Sequence, residues 1–233
     1  MNKDRLAQAI VALTELVSKL RGPDGCPWDI EQTDATVRLY LLEEAYEVLD
    51  AIENGSPEDV CGELGDLLFQ IIFLANLAEE KREFDLVAVM EKIRTKMERR
   101  HPHVFGAAHL ENAEEVSKQW NEIKRMEREF QEDIHHRLGK VPVDLPSLMR
   151  AHRLSERASE TEIDLEAETT TWMKANKAFE DLQRIIPEGD KGRIREIMGE
   201  LLFCLADLSR TLGFNAEDVL RVANNEFQRR HGP

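Results

Sequence analysis

Two short clusters of carboxylates set among apolar residues constrain the fold of this chain more than any other feature. Both lie within Leu41–Phe69, which reads LLEEAYEVLDAIENGSPEDVCGELGDLLF. The first cluster is Glu43, Glu44 and Glu47, and the second is Glu63 and Asp66. Because residues three and four apart lie on one face of a helix, each cluster is predicted to occupy one side of its own helix.

The residues between the clusters predict the end of one helix and the immediate start of another. Gly55 suits the position just beyond a helix end, Ser56 and Asp59 form a capping box, and Pro57 fits a first turn. The two helices are therefore expected to fold back as an antiparallel hairpin. In such a hairpin the two carboxylate clusters face one another.

Five facing carboxylates favour a bound cation. Oxygen ligands without Cys or His inside the motif favour Mg²⁺, with Mn²⁺ as a substitute, over zinc or copper. Mg²⁺ is usually bound together with substrate phosphates, so the hairpin also indicates a phosphate-bearing substrate. The alternative is a solvated helix face. It is disfavoured because the glutamates interrupt the apolar stripe, where like charges without a counter-ion are costly.

The rest of the chain predicts an all-α protein, since apolar residues recur at helical spacing and no alternating strand pattern occurs. Residues 22–29 are rich in turn formers and are expected to form a loop. The linker is expected at 139–146, between an N-terminal domain of residues 1–138 and a C-terminal domain of residues 147–233. Helices are expected at about 4–21, 33–54, 57–82, 85–100, 112–137, 147–159, 170–186, 191–212 and 216–230.

Composition limits the cellular compartment and the classes of binding partner that this chain is expected to have. The net charge of −15 argues against nucleic acid or an anionic membrane as a partner. Three widely spaced cysteines are typical of a reducing compartment without a disulfide framework. No 18-residue apolar run and no signal-peptide core are expected, so the sequence predicts a soluble, cytoplasmic protein.

An internal repeat relates the two halves of the chain. Leu64–Phe69 returns as Met198–Phe203, and the same alignment places Arg184 at the position of Glu47. It also places an isoleucine, residue 197, at the position of Glu63. Neither an arginine nor an isoleucine binds a hard cation, so the second copy is expected to hold no metal.

The order of motifs resembles the MazG family of nucleoside triphosphate pyrophosphohydrolases in its two-domain form. The motifs are EExxE at Glu43–Glu47, ExxD at Glu63–Asp66, GCPWDxxQT at Gly25–Thr33 and KMERRHPHVF at Lys96–Phe105. The resemblance implies tandem helical units that dimerise into four-helix-bundle cores. It also implies Mg²⁺-dependent hydrolysis of an NTP or dNTP to the monophosphate and pyrophosphate, as nucleotide-pool housekeeping.

The sequence also departs from the family pattern. In two-domain relatives the C-terminal half can be the active one, but here that half lacks the ligands. It also stops at Pro233, before any equivalent of the 112–137 helix. The N-terminal half is therefore the expected site. A lysine expected just ahead of EExxE in active copies is Tyr40 here, whereas the second copy has Lys177 at that position.

The resemblance also assigns roles to the acidic residues. Glu44, Glu47, Glu63 and Asp66 match the family's metal ligands. Glu43 lies beside them and is expected to touch a second metal or to orient the attacking water. All five are therefore candidate catalytic residues.

Six further residues are candidates for binding the substrate. Lys96 and Arg100 share a helix face, where they either bind the triphosphate or complement a helix C-terminus. Trp120 and Lys124 repeat that spacing, although a lone tryptophan is more often a packing anchor. Two more candidates, Trp28 and Asp29, lie in the GCPWD segment: the indole either stacks on a base or covers the hairpin, and the carboxylate either caps or binds a cation.

Two other functions compete with hydrolysis. A di-iron carboxylate bundle is indicated by Glu98-x-x-His101 and Glu132-x-x-His135, which resemble the pairs of ferritin-like proteins. A non-catalytic helical dimer that binds nucleotides or regulates a partner is the other. This alternative is disfavoured because all of the expected metal-binding carboxylates are present in the N-terminal half.

Overall fold

Helices account for the regular structure of this chain, and the predicted all-α class is confirmed. The computed structural model describes residues 2–108, 110–129, 141–160 and 168–232, and no strand occurs among them. The helices are α1 Lys3–Arg21, α2 Pro27–Glu31, α3 Asp34–Asn54, α4 Pro57–Glu80, α5 Leu86–Arg100, α6 Pro102–Phe105, α7 Ala113–Glu129, α8 Ser147–Glu160, α9 Glu168–Ile185, α10 Lys191–Thr211 and α11 Ala216–His231, with a 3₁₀ turn at Ile186–Glu188.

The turn between α3 and α4 forms as its residues predict. The Ser56 hydroxyl accepts a hydrogen bond from the backbone N–H of Asp59, at 3.2 Å, and the Asp59 carboxylate accepts one from the backbone N–H of Ser56, at 2.7 Å. These hydrogen bonds from Ser56 lower the pKa of Asp59. Because both helix ends are fixed within two residues of chain, α3 and α4 pack against each other along the hairpin.

The core of the first unit lies where α1 and α3 pack against the C-terminal half of α4. Val17 from α1 and Val37 from α3 are buried against Ile72, Phe73 and Leu77 of α4. This core anchors the hairpin on one side. It lies toward the end of α4 that is far from the loop connecting α3 and α4, since its α4 members all come from the C-terminal half of that helix.

The segment 22–29, predicted as a loop, contains the start of a short helix, α2. The chain turns so tightly before α2 that a Cβ on Gly25 would lie 2.1 Å from the backbone oxygen of Leu20, so only glycine fits there. The N–H of Cys26 then donates to the same oxygen at 2.8 Å. Pro27 follows at the first helical position, which it favours because its ring presets φ.

Contacts divide the chain into two units, Met1–Leu110 and Glu111–Pro233. By this division α7 belongs to the second unit. The predicted linker at 139–146 falls partly outside the described residues and stays a prediction, as does the helix predicted for residues 130–137. The second unit has its own core, in which Ala178 and Leu182 of α9 pack against Ile197 of α10.

One helix, α4, is long and apolar enough to cross a membrane by length and composition, so the expectation that no such window exists is wrong. The core helix of a soluble protein passes the same test. In α4 the apolar residues Ile72, Phe73 and Leu77 are buried against α1 and α3. The hydropathy of this helix is therefore explained at least in part by its central place in the first unit.

Candidate metal centre and adjoining pocket

Three carboxylates from the two helices of the hairpin converge. One oxygen each of Glu44, Glu63 and Asp66 lies within 4.8 Å of the other two. Glu63 and Asp66 share a face of α4 because they are three residues apart, and Glu44 reaches them from α3. Glu44 and Glu63 are partly buried and Asp66 is exposed. An open group of hard oxygen donors of this kind fits Mg²⁺ or Mn²⁺, which retain water and bind phosphate as well.

The other two predicted acidic residues lie differently. Glu47 is exposed but adjoins the group, since it is close enough to Glu63 to raise the pKa of that carboxyl. Glu43 is also exposed and is not one of the three converging residues. The ligand role of Glu47 and the role of Glu43 with a second metal or a water stay predictions.

Electrostatics at this site favour a cation. Burial raises the pKa of Glu44, with the negative charges of Glu47, Asp66 and Glu63 adding to the effect and a hydrogen bond from Gln70 opposing it. Burial also raises the pKa of Glu63, with the charges of Glu47 and Asp66 as further causes. Each raised pKa means that a negative charge is unfavourable here. A divalent cation would relieve this mutual repulsion.

A pocket of about 220 Å³ lies beside the carboxylates. Its lining residues are Trp28, Asp29, Gln32, Val37, Tyr40, Phe69, Gln70 and Phe73. Tyr40 precedes Glu44 by one turn of α3, and Gln70 follows Asp66 by one turn of α4. The Nε2 of Gln70 donates to Oε1 of Glu44 at 3.4 Å. The pocket is therefore contiguous with the acidic group along the same seam of the hairpin.

Arg21 holds α2 in the position that forms this pocket. Its guanidinium donates to the backbone oxygens of Asp29 and Gln32 and, at 2.7 Å, to both carboxylate oxygens of Glu80. The same group lies 5.2 Å from the centre of the Phe73 ring. Sequence reasoning missed this residue. Its only signal was a basic side chain in the last turn of α1, which is common.

The predicted substrate-binding residues are distributed over both units. Trp28 and Asp29 line the pocket, and the indole is 65% exposed. Lys96 lies in the C-terminal part of α5, within the first unit, and so does Arg100. The remaining pair, Trp120 and Lys124, lies on α7, in the second unit. The roles of these six residues stay predictions.

In the second copy of the predicted repeat, other residues stand at the positions of two of the acidic residues. Arg184, at the position of Glu47, forms an ion pair with Asp181, which the repeat aligns with Glu44. Ile197, at the position of Glu63, is buried in the core of its unit. Among the described residues of this unit, no three carboxylates, cysteines or histidines converge as they do in the first. The absence of metal from the second copy stays a prediction.

The di-iron alternative finds little support. One of its two pairs, Glu132 and His135, lies outside the described residues. In the other pair, Nδ1 of His101 lies 2.6 Å from the backbone oxygen of Met97. The carboxylate of Glu98 is 3.4 Å from the guanidinium of Arg94. Neither residue belongs to the converging group on the hairpin.

The fold and the site define a helical protein built around an acidic hairpin, and comparison with known proteins agrees. Residues 32–105 match the MazG nucleotide pyrophosphohydrolase domain. The chain is 43% identical over 224 residues to the nucleoside triphosphate pyrophosphohydrolase of Escherichia coli (strain K12), a match that spans 94% of this chain and 84% of the relative. The chain belongs to the MazG family, which confirms the resemblance seen in its motifs.

Two further relatives carry similar names. A Thermotoga maritima protein, "Nucleoside triphosphate pyrophosphohydrolase/pyrophosphatase MazG", is 35% identical over 228 residues, 97% of this chain and 86% of the relative. The nucleoside triphosphate pyrophosphohydrolase of Mycobacterium tuberculosis is 32% identical over 160 residues, 66% of this chain and 45% of the relative. The segment that matches the family domain contains all five predicted acidic residues.

Proposed function

We propose that this protein hydrolyses nucleoside triphosphates, NTP or dNTP, to the monophosphate and pyrophosphate in a Mg²⁺-dependent reaction. The observation that carries the proposal is the convergence of Glu44, Glu63 and Asp66 within 4.8 Å beside a pocket lined by aromatic residues. The printed names of three relatives support the same reaction. Housekeeping of the nucleotide pool is the role that fits such an activity.

Glu44, Glu63 and Asp66 would hold the cation, with Glu47 beside them. The cation supplies neutralisation of the triphosphate charge and activation of water. Glu43, next to Glu44 on α3, would orient the water or touch a second ion. Little covalent chemistry is required of the side chains, because phosphoryl transfer depends on positioning and charge.

The remaining candidates would bind the substrate. Lys96 and Arg100 would complement the triphosphate, and Trp120 and Lys124 stay candidates for substrate binding. Residues four apart on a helix are separated by about 6 Å along its axis. A triphosphate bound at the carboxylates therefore places its nucleoside near the pocket one turn away, where Trp28 offers a stacking surface and Asp29 a hydrogen-bond acceptor.

A homodimer is the proposed assembly. Both helices of the hairpin carry a second apolar stripe that is exposed in the single chain. Its members are Leu39, Leu42, Tyr46 and Leu49 on α3 and Leu64, Leu68 and Ile71 on α4. Spacings of three and four residues are those of packed helices, so a second hairpin would complete a four-helix bundle. The charge of −15 argues against nucleic acid or an anionic membrane as a partner, and the three widely spaced cysteines favour a reducing compartment such as the cytoplasm.

Product analysis tests the reaction. Purified protein with Mg²⁺ and each of the common ribo- and deoxyribonucleoside triphosphates is expected to release pyrophosphate and the monophosphate, and a chelator is expected to stop the release. Release of inorganic phosphate and the diphosphate instead would contradict the proposal, because a different bond would be cleaved. Nucleotide binding without turnover would favour the non-catalytic alternative.

A further inference from the structure

Gln70 lies at the junction of the carboxylate group and the pocket. Its side chain lines the pocket with Tyr40 and Phe73, while its Nε2 donates to Oε1 of Glu44 at 3.4 Å. It follows Asp66 by one turn on the same face of α4. Among the pocket residues, Gln70 is the one that is hydrogen-bonded to a member of the carboxylate group.

The contact with Glu44 determines which end of the Gln70 amide faces the carboxylates and which end is left for the pocket. An ionised carboxylate accepts hydrogen bonds and donates none, so the NH₂ end of the amide must face Glu44. The carbonyl Oε1 is then the end left for another partner. Among the described residues, the Gln70 side chain makes no second hydrogen bond. A ligand with a hydrogen-bond donor in the pocket would satisfy this oxygen.

The order of residues along α4 indicates which part of a nucleotide meets Gln70. Asp66, Gln70 and Phe73 are spaced by four and three residues, so the steps along the helix axis are about 6 Å and about 4.5 Å, each close to one helical turn. If phosphates bind at the carboxylates and a base binds among the aromatic rings near Phe73, the sugar lies between them. That intermediate place is the one Gln70 occupies.

We infer that Gln70 acts in two ways: it positions Glu44 for metal binding, and its Oε1 accepts a hydrogen bond from a sugar hydroxyl of the bound nucleotide. This inference rests on the proposed function and names the residue that would contact the sugar of the nucleotide. One amide thereby links recognition of the sugar to the orientation of a metal ligand. A base N–H is the other donor that the pocket could present, and the experiment separates the two.

The experiment uses the full chain with Gln70→Leu, which keeps the size of the side chain and removes both polar atoms. The first measurement is Mn²⁺ binding without nucleotide, from the loss of the free-ion electron paramagnetic resonance signal. The second is the ratio of kcat/KM for ATP over 2′-deoxy-ATP and 3′-deoxy-ATP. We expect wild-type protein to favour ATP over one deoxy analogue by about 2- to 12-fold, the value of one hydrogen bond.

In Gln70→Leu the preference for ATP is expected to fall to about one, and Mn²⁺ affinity is expected to fall several-fold. A merely structural role would lower activity on all three nucleotides equally and leave the ratio unchanged. Asn76→Leu is the matched control: this amide lies on the same helix and donates to the Ser18 hydroxyl at 3.2 Å, away from the pocket. It is expected to change neither measurement.

Each contrary result overturns a stated part of the inference. An unchanged sugar preference in Gln70→Leu, or no preference in wild-type protein, overturns the sugar contact. Unchanged Mn²⁺ affinity overturns the positioning of Glu44. Absence of pyrophosphate from every nucleotide with wild-type protein would instead be a failure of the proposed function, and the Mn²⁺ measurement would still test the positioning role.

Discussion

At the scale of single residues, the proposed metal ligands give the sharpest prediction. Glu44→Gln and Asp66→Asn keep the shape of each side chain but remove a charge that the cation requires. Turnover is expected to fall at least about 100-fold, while circular dichroism shows the helices intact. Pyrophosphate release at saturating Mg²⁺ measures the effect.

The internal repeat supplies the matched control for this pair. Glu200 occupies the position of Asp66 in the second copy and is exposed, so Glu200→Gln is expected to leave turnover unchanged. An equal loss from Glu200→Gln would place the working site in the second unit and would overturn the assignment made here.

The raised pKa values of Glu44 and Glu63 predict how Mg²⁺ stabilises the protein at different pH. Protons compete with the cation for the same oxygens, so the increase in Tm on adding Mg²⁺ is expected to be largest at neutral pH and to shrink in acid. Thermal melts with Mg²⁺ and with a chelator, from about pH 5 to pH 8, measure it.

Without metal, the contribution of these carboxyl groups to stability changes with pH in the opposite direction. A carboxyl whose pKa is raised by folding binds its proton more tightly in the folded state, so its contribution to stability is present at low pH and lost as pH rises through the raised pKa. A Mg²⁺-dependent increase in Tm that grows toward acid pH would contradict this reading of the site.

Helical spacing predicted that carboxylates of the hairpin converge, as Glu44, Glu63 and Asp66 do, but spacing alone could not rank them. The expectation that Glu44 is a ligand came from the family resemblance. Helical spacing of three brings Glu63 and Asp66 together, and the capped turn brings Glu44 opposite them. Glu43 is one residue from Glu44, and adjacent residues on a helix diverge by about 100°. The pattern therefore could not decide which of the two faces the partner helix, and the structure shows that Glu44 does.

At the scale of elements, helices whose ends carry local signals were predicted to within a few residues, and α2 was not. Its position depends on Arg21 and Glu80, which are 59 residues apart in the chain. The pKa of Glu80 is held below its ordinary value by the hydrogen bond from Arg21. A contact across that separation leaves no periodic pattern, which is why the segment was expected to be only a loop.

Arg21→Ala is expected to loosen α2 and so to weaken substrate binding more than chemistry. The change leaves the backbone oxygens of Asp29 and Gln32 without their donor, and the side chain it removes is only 8% exposed. The expected result is a KM raised several-fold with a smaller change in kcat, and a free energy of unfolding lowered by about 1–3 kcal/mol.

Lys19→Ala is the control for the Arg21 prediction, because it removes an exposed cation from the same last turn of α1. It is expected to change neither KM nor stability appreciably. Urea unfolding and steady-state kinetics measure both quantities. If Arg21→Ala lowered kcat alone at unchanged KM, α2 would not contribute to substrate binding.

At the scale of the whole molecule, the repeat predicted from the sequence would explain how one chain keeps two helical units with different chemistry. Both units have apolar residues where their helices pack, as at Val37 in the first core and Leu182 in the second. They differ where the first unit gathers charge, since Arg184 pairs with Asp181 in the second. In the second unit this ion pair occupies the carboxylate of Asp181. The aligned carboxylate in the first unit, Glu44, is left for a cation.

The exposed apolar stripe on α3 and α4 predicts a dimer through the first unit. Leu42 and Leu64 are each 50% exposed in the single chain, so burying the remaining half of each side chain contributes about 1 kcal/mol each. Leu42→Glu combined with Leu64→Glu places charges in the proposed bundle core, where an unpaired charge is costly. Light scattering after size exclusion is expected to show wild-type dimer and variant monomer.

Val143→Glu provides the control for the dimer prediction, because Val143 is 75% exposed and lies outside the hairpin. It is expected to remain dimeric. The paired leucine variant also separates assembly from metal binding, since Glu44, Glu63 and Asp66 come from one hairpin. The variant is therefore expected to keep Mn²⁺ binding as a monomer. A wild-type monomer, or a variant that stays dimeric with its helices intact, would show that this stripe is not the dimer interface.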